Sequence, residues 1–240
     1  MADLFADDPP PPTATSEPSA DAPLADRLRP RNLDEVVGQE HLTGPAGAIG
    51  RMGASGKLSS LILWGPPGTG KTSIARLLAD AVGLRFVALS AVFSGVADLK
   101  KVFAEARTMM RTGQRTLLFV DEIHRFNRAQ QDGFLPYVED GTVVLVGATT
   151  ENPSFELNAA LLSRCQVLIL RRLDHDALAE LVRRGEAEMG RPLPLTDEAR
   201  APLTPSADGD GRFPLNQVET LFDVESAAPL DPAAMAALLH

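Results

Sequence analysis

The sequence has a single cysteine (Cys165), a single tryptophan (Trp64) and a single tyrosine (Tyr137), and aromatics make up only 5% of its 240 residues. One cysteine excludes an internal disulfide and suits a reducing compartment, so a cytoplasmic location is expected. No apolar run approaches the roughly 18 residues that span a bilayer, so no membrane segment is expected. The start, MADLFADDPPPP, lacks both the basic n-region and the apolar h-region of a signal peptide. The first 26 residues also lack Lys and Arg while holding six acids; the remainder carries 26 acidic against 23 basic groups, so most of the formal charge of −9 lies in that first stretch. That balance excludes a uniformly basic nucleic-acid binder. What is present is apolar content of 44%, enough for one α/β domain with a small appendage.

Residues 1–26 contain six prolines, four of them consecutive from Pro9 to Pro12. Such a segment buries too little to offset its ordering entropy and is read as a disordered acidic tail, with Leu4 and Phe5 its only apolar handle. From Pro23 the text changes to PLADRLRPRNLDEVVGQEHL. Asn32 or Asp34 can cap a short helical turn, and Val36, Val37 and Gly38 form an apolar corner. Alone this is a domain entrance; beside a nucleotide site it becomes a candidate adenine pocket.

That site is the stretch LILWGPPGTGKT, residues 61–72, which reads as strand, glycine-rich loop and helix start. Gly65, Gly70, Lys71 and Thr72 occupy the fixed places of a P-loop. Gly65, Gly68 and Gly70 let the backbone turn tightly and point N–H groups into one hollow, while the following helix adds the positive end of its dipole. Pro66, Pro67, Thr69 and Ser73 complete the phosphate cradle. Lys71 suits the β- and γ-phosphates of ATP, and the Thr72 hydroxyl suits Mg²⁺. The bland alternative, a glycine turn between strand and helix, does not account for the full pattern with correct flanks.

Beyond it the elements alternate. Strands are expected at Leu61–Trp64, Phe86–Leu89, Thr116–Val120, Thr142–Gly147 and Gln166–Leu170, with helices at Lys71–Val82, Val96–Arg111, Ala129–Val138 and Ala159–Leu162. Five short apolar runs separated by helices mean a parallel sheet covered on both faces, with ligands at the carboxyl ends of its strands. The segment LLFVDEIHRF delivers Asp121 and Glu122 to that edge. Asp121 is placed to hold Mg²⁺ and Glu122 to orient or deprotonate an attacking water. In VLVGATTEN, Thr149, Thr150 and Asn152 arrive at the same edge, either as a capping turn or as a sensor of the γ-phosphate. Arg164, between a helix and a strand, is a surface residue or an arginine finger for a neighbouring subunit. Cys165 reads as a small buried residue, and His124 has no second metal ligand at useful spacing. Lys100, Lys101, Arg107, Arg111, Arg115, Arg125 and Arg128 are solvated faces or a DNA contact.

Taken together, GPPGTGKT, FVDEIHRF, GATTENPSF and LLSRC resemble an AAA+ ATPase of the clamp-loader and RuvB-like kind. The longer stretches DEIHRFNRAQQDGFLPYVEDG and VGATTENPSFELNAALLSRC are similar to the replication-associated recombination protein A group, which includes the Werner-helicase-interacting ATPase, over about Pro23 to Leu170. The resemblance implies that Lys71 and Thr72 belong to Walker A, Asp121 and Glu122 to Walker B, and Thr149 or Thr150 to sensor 1. It implies that Arg164 is the finger of a Ser-Arg-Cys motif and that Arg212, in GDGRFPLN, is the sensor 2 arginine of a helical lid. It further implies ATP and Mg²⁺ as cofactors, action on gapped or forked DNA or on single-strand/double-strand junctions, a single-stranded-DNA-binding protein as partner, homo-oligomeric assembly, and a nucleoid-associated bacterial location.

The expected organisation is therefore a tail (1–26), an AAA+ core (27–172) and a partial helical lid (173–240). Pro202, Pro205 and Pro214 interrupt that lid, since each costs about 3 kcal/mol inside a helix. Pro214 is expected as a first helical residue, leaving Arg212 just outside the helix. The chain stops at His240 without the family's C-terminal oligomerisation domain, so either a fragment or a shortened member with weakened assembly is expected. Two other readings stand beside the DNA-maintenance ATPase: a clamp-loader or branch-migration subunit, and a nucleotide-binding interaction module without turnover.

Overall fold

The computed structural model describes residues 21–201, 203, 209–224 and 228–239. Its frame is a parallel sheet of β1 (Leu61–Trp64), β2 (Arg85–Ser90), β3 (Thr116–Asp121), β4 (Val143–Thr149) and β5 (Gln166–Ile169), in the spatial order β2-β3-β4-β1-β5. Before it come α1 (Leu24–Arg27), α2 (Glu40–Thr43) and α3 (Ala48–Ser55). Between and beside the strands lie α4 (Lys71–Ala81), α5 (Val96–Arg111), α6 (Arg128–Asp132), α7 (Leu135–Glu139), α8 (Pro153–Glu156) and α9 (Ala159–Leu162). After β5 come α10 (His175–Met189), α11 (Asp197–Arg200), α12 (Arg212–Phe222) and α13 (Pro232–Leu239).

The central strands β1, β3 and β4 are nearly continuous apolar runs because both faces of the sheet are covered there, whereas the edge strands β2 and β5 are more exposed. Strand alternation sends Leu61, Leu63, Leu117, Phe119 and Val146 to one face, where Ile74 and Leu78 of α4 meet them. Ile62, Leu118, Val120 and Leu145 face the other way, against Leu99 and Phe103 of α5. Those two α5 residues lie four apart, one above the other on the buried stripe. A third cluster joins Leu24, Val182, Val218 and Leu221 from α1, α10 and α12.

Three expectations change. The expected helix Ala129–Val138 is two helices broken at Gly133 and Phe134. Pro136 has no N–H for the Asp132 carbonyl and its ring would crowd it, so it sits in the first turn of a new helix, α7. The expected tail ends earlier than Asp26: Leu24 is fully buried in the third cluster, its amide donates to Glu219 Oε1 (2.9 Å), and residues 1–20 lie outside the described residues. Pro214 is the third residue of α12, so Arg212 opens the helix instead of preceding it. A first-turn proline forfeits no intrahelical bond, because the first four N–H groups have no partner in the helix. Pro202 and Pro205 lie outside the described residues.

Two buried glutamines fasten segments distant in sequence. Gln39 donates through Nε2 to the Arg171 carbonyl (2.8 Å) and accepts from the Arg171 amide (3.0 Å), clasping the entrance to the end of β5. Gln131 donates to the carbonyls of Phe126 (2.9 Å) and Glu156 (3.1 Å) and accepts from the Asn158 amide (2.8 Å). Replacing Gln131 with leucine leaves three backbone groups without that partner. The expected loss is about 3 kcal/mol, or roughly 6–12 °C in the thermal midpoint. A midpoint within about 2 °C of wild type in a calorimetric scan contradicts the clasp.

Candidate nucleotide site

The P-loop is hung from the strands around it. The Leu170 amide donates to the Trp64 carbonyl (2.7 Å), and the Gly65 amide donates to the Thr149 carbonyl (3.1 Å). A Cβ at Gly65 would come 2.6 Å from the Leu170 carbonyl oxygen, so only glycine fits there. The loop then turns through Gly68 (φ 65°) and Gly70 (φ 90°), both left-handed. At Gly68 a Cβ would also approach the Gly211 nitrogen to 2.8 Å. The Thr69 hydroxyl donates to the Pro66 carbonyl (2.9 Å). Helix α4 starts at Lys71 with no side chain capping it, which leaves its leading N–H groups for an anion.

The Lys71 ammonium is buried and donates to the carbonyls of Gly65 (2.7 Å) and Pro66 (2.6 Å). Burial pulls its pKa below the ordinary lysine value, against the opposing pull of the Glu122 and Asp121 carboxylates.

A cavity of about 430 Å³, within the ~300–1,000 Å³ range of small-ligand sites, opens over this loop. Pro67, Gly68, Thr69, Gly70, Lys71, Thr72 and Ser73 form its floor. Asp121 and Glu122 enter from the end of β3, Val36 and Val37 from the entrance segment, and Arg212 from the start of α12. The structure thus brings together both expected metal-site residues, Thr72 and Asp121, and three expected catalytic residues, Lys71, Glu122 and Arg212.

Other expected residues are placed differently. Gly65 and Pro66 lie behind the floor, presenting carbonyls to Lys71. Gly38 is not a wall residue: it adopts φ 74°, and a Cβ there would come 2.7 Å from Leu173 Cδ2, so its role is close packing. Thr149 is fully buried at the end of β4, whereas Thr150 is exposed, and neither lines the cavity. The Asn152 side chain caps α8 by accepting from the Ser154 amide. Arg164 is exposed, away from the cavity, and donates through Nε to Glu139 Oε1 (2.6 Å) and through a terminal nitrogen to the Ala160 carbonyl (2.7 Å). Burial pushes the Cys165 thiol up to about 12, as befits an unreactive residue. Of the basic residues, Lys100, Lys101, Arg125 and Arg128 are exposed, and Arg107 stacks over the Tyr137 ring.

Glu122 has a left-handed backbone (φ 52°, ψ 46°), the one such non-glycine conformation among the described residues. For a side-chain-bearing residue this costs about 1–3 kcal/mol. Its Oε2 lies 3.3 Å from His124 Nδ1, and that nitrogen lies 2.9 Å from the Thr149 hydroxyl.

The sequence did not disclose the cavity's far walls: Pro23, Arg29 and Pro30 from the entrance, Leu173, Leu181 and Arg184, and Leu215 from α12. Which side of α10 walls the cavity depends on how that helix docks.

Comparison with known proteins agrees with this architecture. Residues 61–173 match the ATPase family associated with various cellular activities (AAA). The chain carries an AAA-family ATPase domain. It is related to the replication-associated recombination protein A group, being 44% identical to the Escherichia coli K12 protein of that name over 207 residues, 84% of this chain and 46% of that protein. It is likewise 44% identical to the ATPase WRNIP1 of Dictyostelium discoideum, over 82% of this chain and 23% of the relative. The chain thus spans less than half the length of these relatives. Among solved structures it is similar to the RuvB Holliday junction branch migration motor of Thermotoga maritima, with a TM-score of 0.69 at 26% identity, covering 88% of this chain and 72% of that one. No helix among the described residues is long and apolar enough to cross a membrane.

The depressed Lys71 gives a signed prediction. With its folded pKa below the unfolded value of 10.5, the unfolded chain holds more protons in the alkaline window beneath 10.5. Lys71's contribution to stability therefore rises as pH climbs through that window, and the penalty of burying its charge is fully present below it. Urea midpoints measured across this window should rise more steeply for wild type than for Lys71→Met; parallel curves contradict the assignment.

Proposed function

We propose that this AAA domain binds ATP with Mg²⁺ and hydrolyses it to ADP and phosphate in a DNA-maintenance motor. The observation that carries the reading is the convergence of Lys71, Thr72, Asp121, Glu122 and Arg212 on one cavity over an uncapped helix start. The donor set fits the group. Two glycines at positive φ shape the floor, a buried ammonium stands ready for phosphate oxygens, and a hydroxyl and a carboxylate suit a hard cation. Mg²⁺, held by Thr72 and Asp121, supplies neutralisation of phosphate charge.

In this reading Lys71 exchanges its two carbonyl partners for phosphate oxygens. Glu122 accepts a proton from the attacking water, and Arg212 meets developing charge from the α12 side. Val36 and Val37 hold the base. Thr149 acts as sensor, its neighbour Thr150 facing solvent. Arg164, held outward by Glu139, completes the site of an adjacent copy, so turnover depends on assembly. Residues 27–172 act as the core and 173–240 as the lid.

The substrate reading follows from the relatives' names, which speak of replication-associated recombination. Gapped or forked DNA and single-strand/double-strand junctions are the proposed stimulating ligands, with a single-stranded-DNA-binding protein as partner and a cytoplasmic, nucleoid-associated setting. The Arg164–Glu139 geometry favours one alternative: an isolated copy that binds nucleotide without turning it over.

Phosphate release with and without gapped or forked DNA tests the proposal. Wild type should hydrolyse ATP and be stimulated by DNA. Glu122→Gln should lose about 10²–10⁴-fold in rate while still binding nucleotide. An unchanged rate in Glu122→Gln removes the catalytic assignment, and a monomer that binds without turnover favours the alternative.

A further inference from the structure

We infer that His124 is a positioning residue that couples the Thr149 hydroxyl to the Glu122 carboxylate through Nδ1–H, which donates to the hydroxyl oxygen and faces the carboxylate. The inference rests on the ATPase reading above only for its consequence, not for its geometry. The His124 side chain is 8% exposed, and its Nδ1 faces two oxygens, Thr149 Oγ1 at 2.9 Å and Glu122 Oε2 at 3.3 Å. Thr149 is fully buried and its hydroxyl has a single proton. That proton has an acceptor in the Glu151 carbonyl (3.2 Å), and the oxygen already accepts from the Glu151 amide (3.0 Å). With that proton on the Glu151 carbonyl, the imidazole brings its own proton to the contact, on Nδ1. The carboxylate makes the same demand independently, since a bare Nδ1 lone pair would face a negative oxygen at 3.3 Å. Both neighbours therefore favour the Nδ1–H tautomer, with Nδ1–H donating to Thr149 Oγ1 and the Glu122 carboxylate 3.3 Å from the same nitrogen.

A proton donated to one oxygen beside a second, charged one couples the two electrostatically. When the Thr149 hydroxyl changes its bonding to the Glu151 turn, the pull of Oγ1 on Nδ1–H changes, and so does the field that Nδ1–H exerts on Glu122. Glu122 is free to respond because its left-handed backbone is held by the turn at Ile123–Arg125 and not by its carboxylate. His124 thereby makes the aim of the base depend on what occupies the sensor threonine. It touches no phosphate itself and acts through Glu122.

Two measurements test this. Nitrogen-15 spectra of the full chain should show His124 protonated at Nδ1, and its resonance should move in Thr149→Val, in Glu122→Gln, and on adding a non-hydrolysable ATP analogue with Mg²⁺. An Nε2–H tautomer, or a resonance indifferent to both substitutions, overturns the inference. Turnover supplies the second readout. His124→Ala should lower kcat about tenfold with nucleotide affinity unchanged. His124→Asn, whose amide nitrogen replaces Nδ1, should recover most of the rate, and His124→Gln, which reaches only the Nε2 position, should not. If alanine and asparagine lose equally, or if the loss tracks only the folded fraction, His124 is structural and the inference falls. Absence of turnover in wild type removes the ATPase reading instead, and the spectra still decide this one.

Discussion

The hydrogen bond from the Gly65 amide to the Thr149 carbonyl fixes where the phosphate loop begins. With its counterpart, Leu170 to Trp64, it clips the last residue of β1 between the ends of β4 and β5. Parallel registers, Trp64 beside Thr149 and beside Ile169, align those ends at one edge. The neighbouring β3–β4 pairing carries Asp121 to the same edge. The loop has no hydrophobic contents of its own to hold its shape. Its form comes from the two strand-end bonds, from glycines at positive φ, and from the Lys71 ammonium bracing its first two carbonyls. Under the proposed function, the brace is made by the very group that a phosphate would compete for, so loop order and ligand capture would be two uses of one cation.

Local chemistry made much of this legible in the sequence. A P-loop is contiguous, and a strand that ends in Asp-Glu announces its edge, so the cradle and that edge follow from residues 61–72 and 117–122, while the five strands follow from the five apolar runs. Legibility failed where a local signal was outweighed or where a wall is built by docking. Apolar spacing persists through residues 129–138, but Pro136 breaks the helix because the Asp132 carbonyl cannot be reached. Pro214 has the opposite lesson: in the first turn it costs no bond, so α12 can open at Arg212 and turn that residue toward the cavity. Leu24 lies in text rich in Pro and Asp, and only the cluster formed by α10 and α12 shows that it is a core residue. Arg29, Leu181 and Leu215 carry no motif; they belong to the site because three segments pack over it.

The two longer stretches that resemble the replication-associated recombination protein A group, around Gln131 and around Asn158, are one structural unit. Gln131 accepts from the Asn158 amide and donates to the Glu156 carbonyl, while the Asn158 side chain donates to Asp132 (2.8 Å) and accepts from the Leu161 amide (2.6 Å) as the cap of α9. A glutamine in a nearly dry place satisfies three backbone groups at once, which no apolar residue of similar size can do.

That unit also determines where Arg164 can be. Helix α9 is short and marginal alone, so its cap and the Gln131 clasp are what orient it. Arg164 follows directly, tied back to Ala160 of that helix and across to Glu139 at the end of α7. The arginine is therefore carried on a bracket made of α6, α7 and α9, whose other end meets the turn where Thr149 bonds Glu151. Between Thr149 and the outward Arg164 the chain runs through capped turns and short helices, with no long irregular linker. Any influence of one on the other must then move the bracket as a body, since bending it locally would break the Gln131 bonds first.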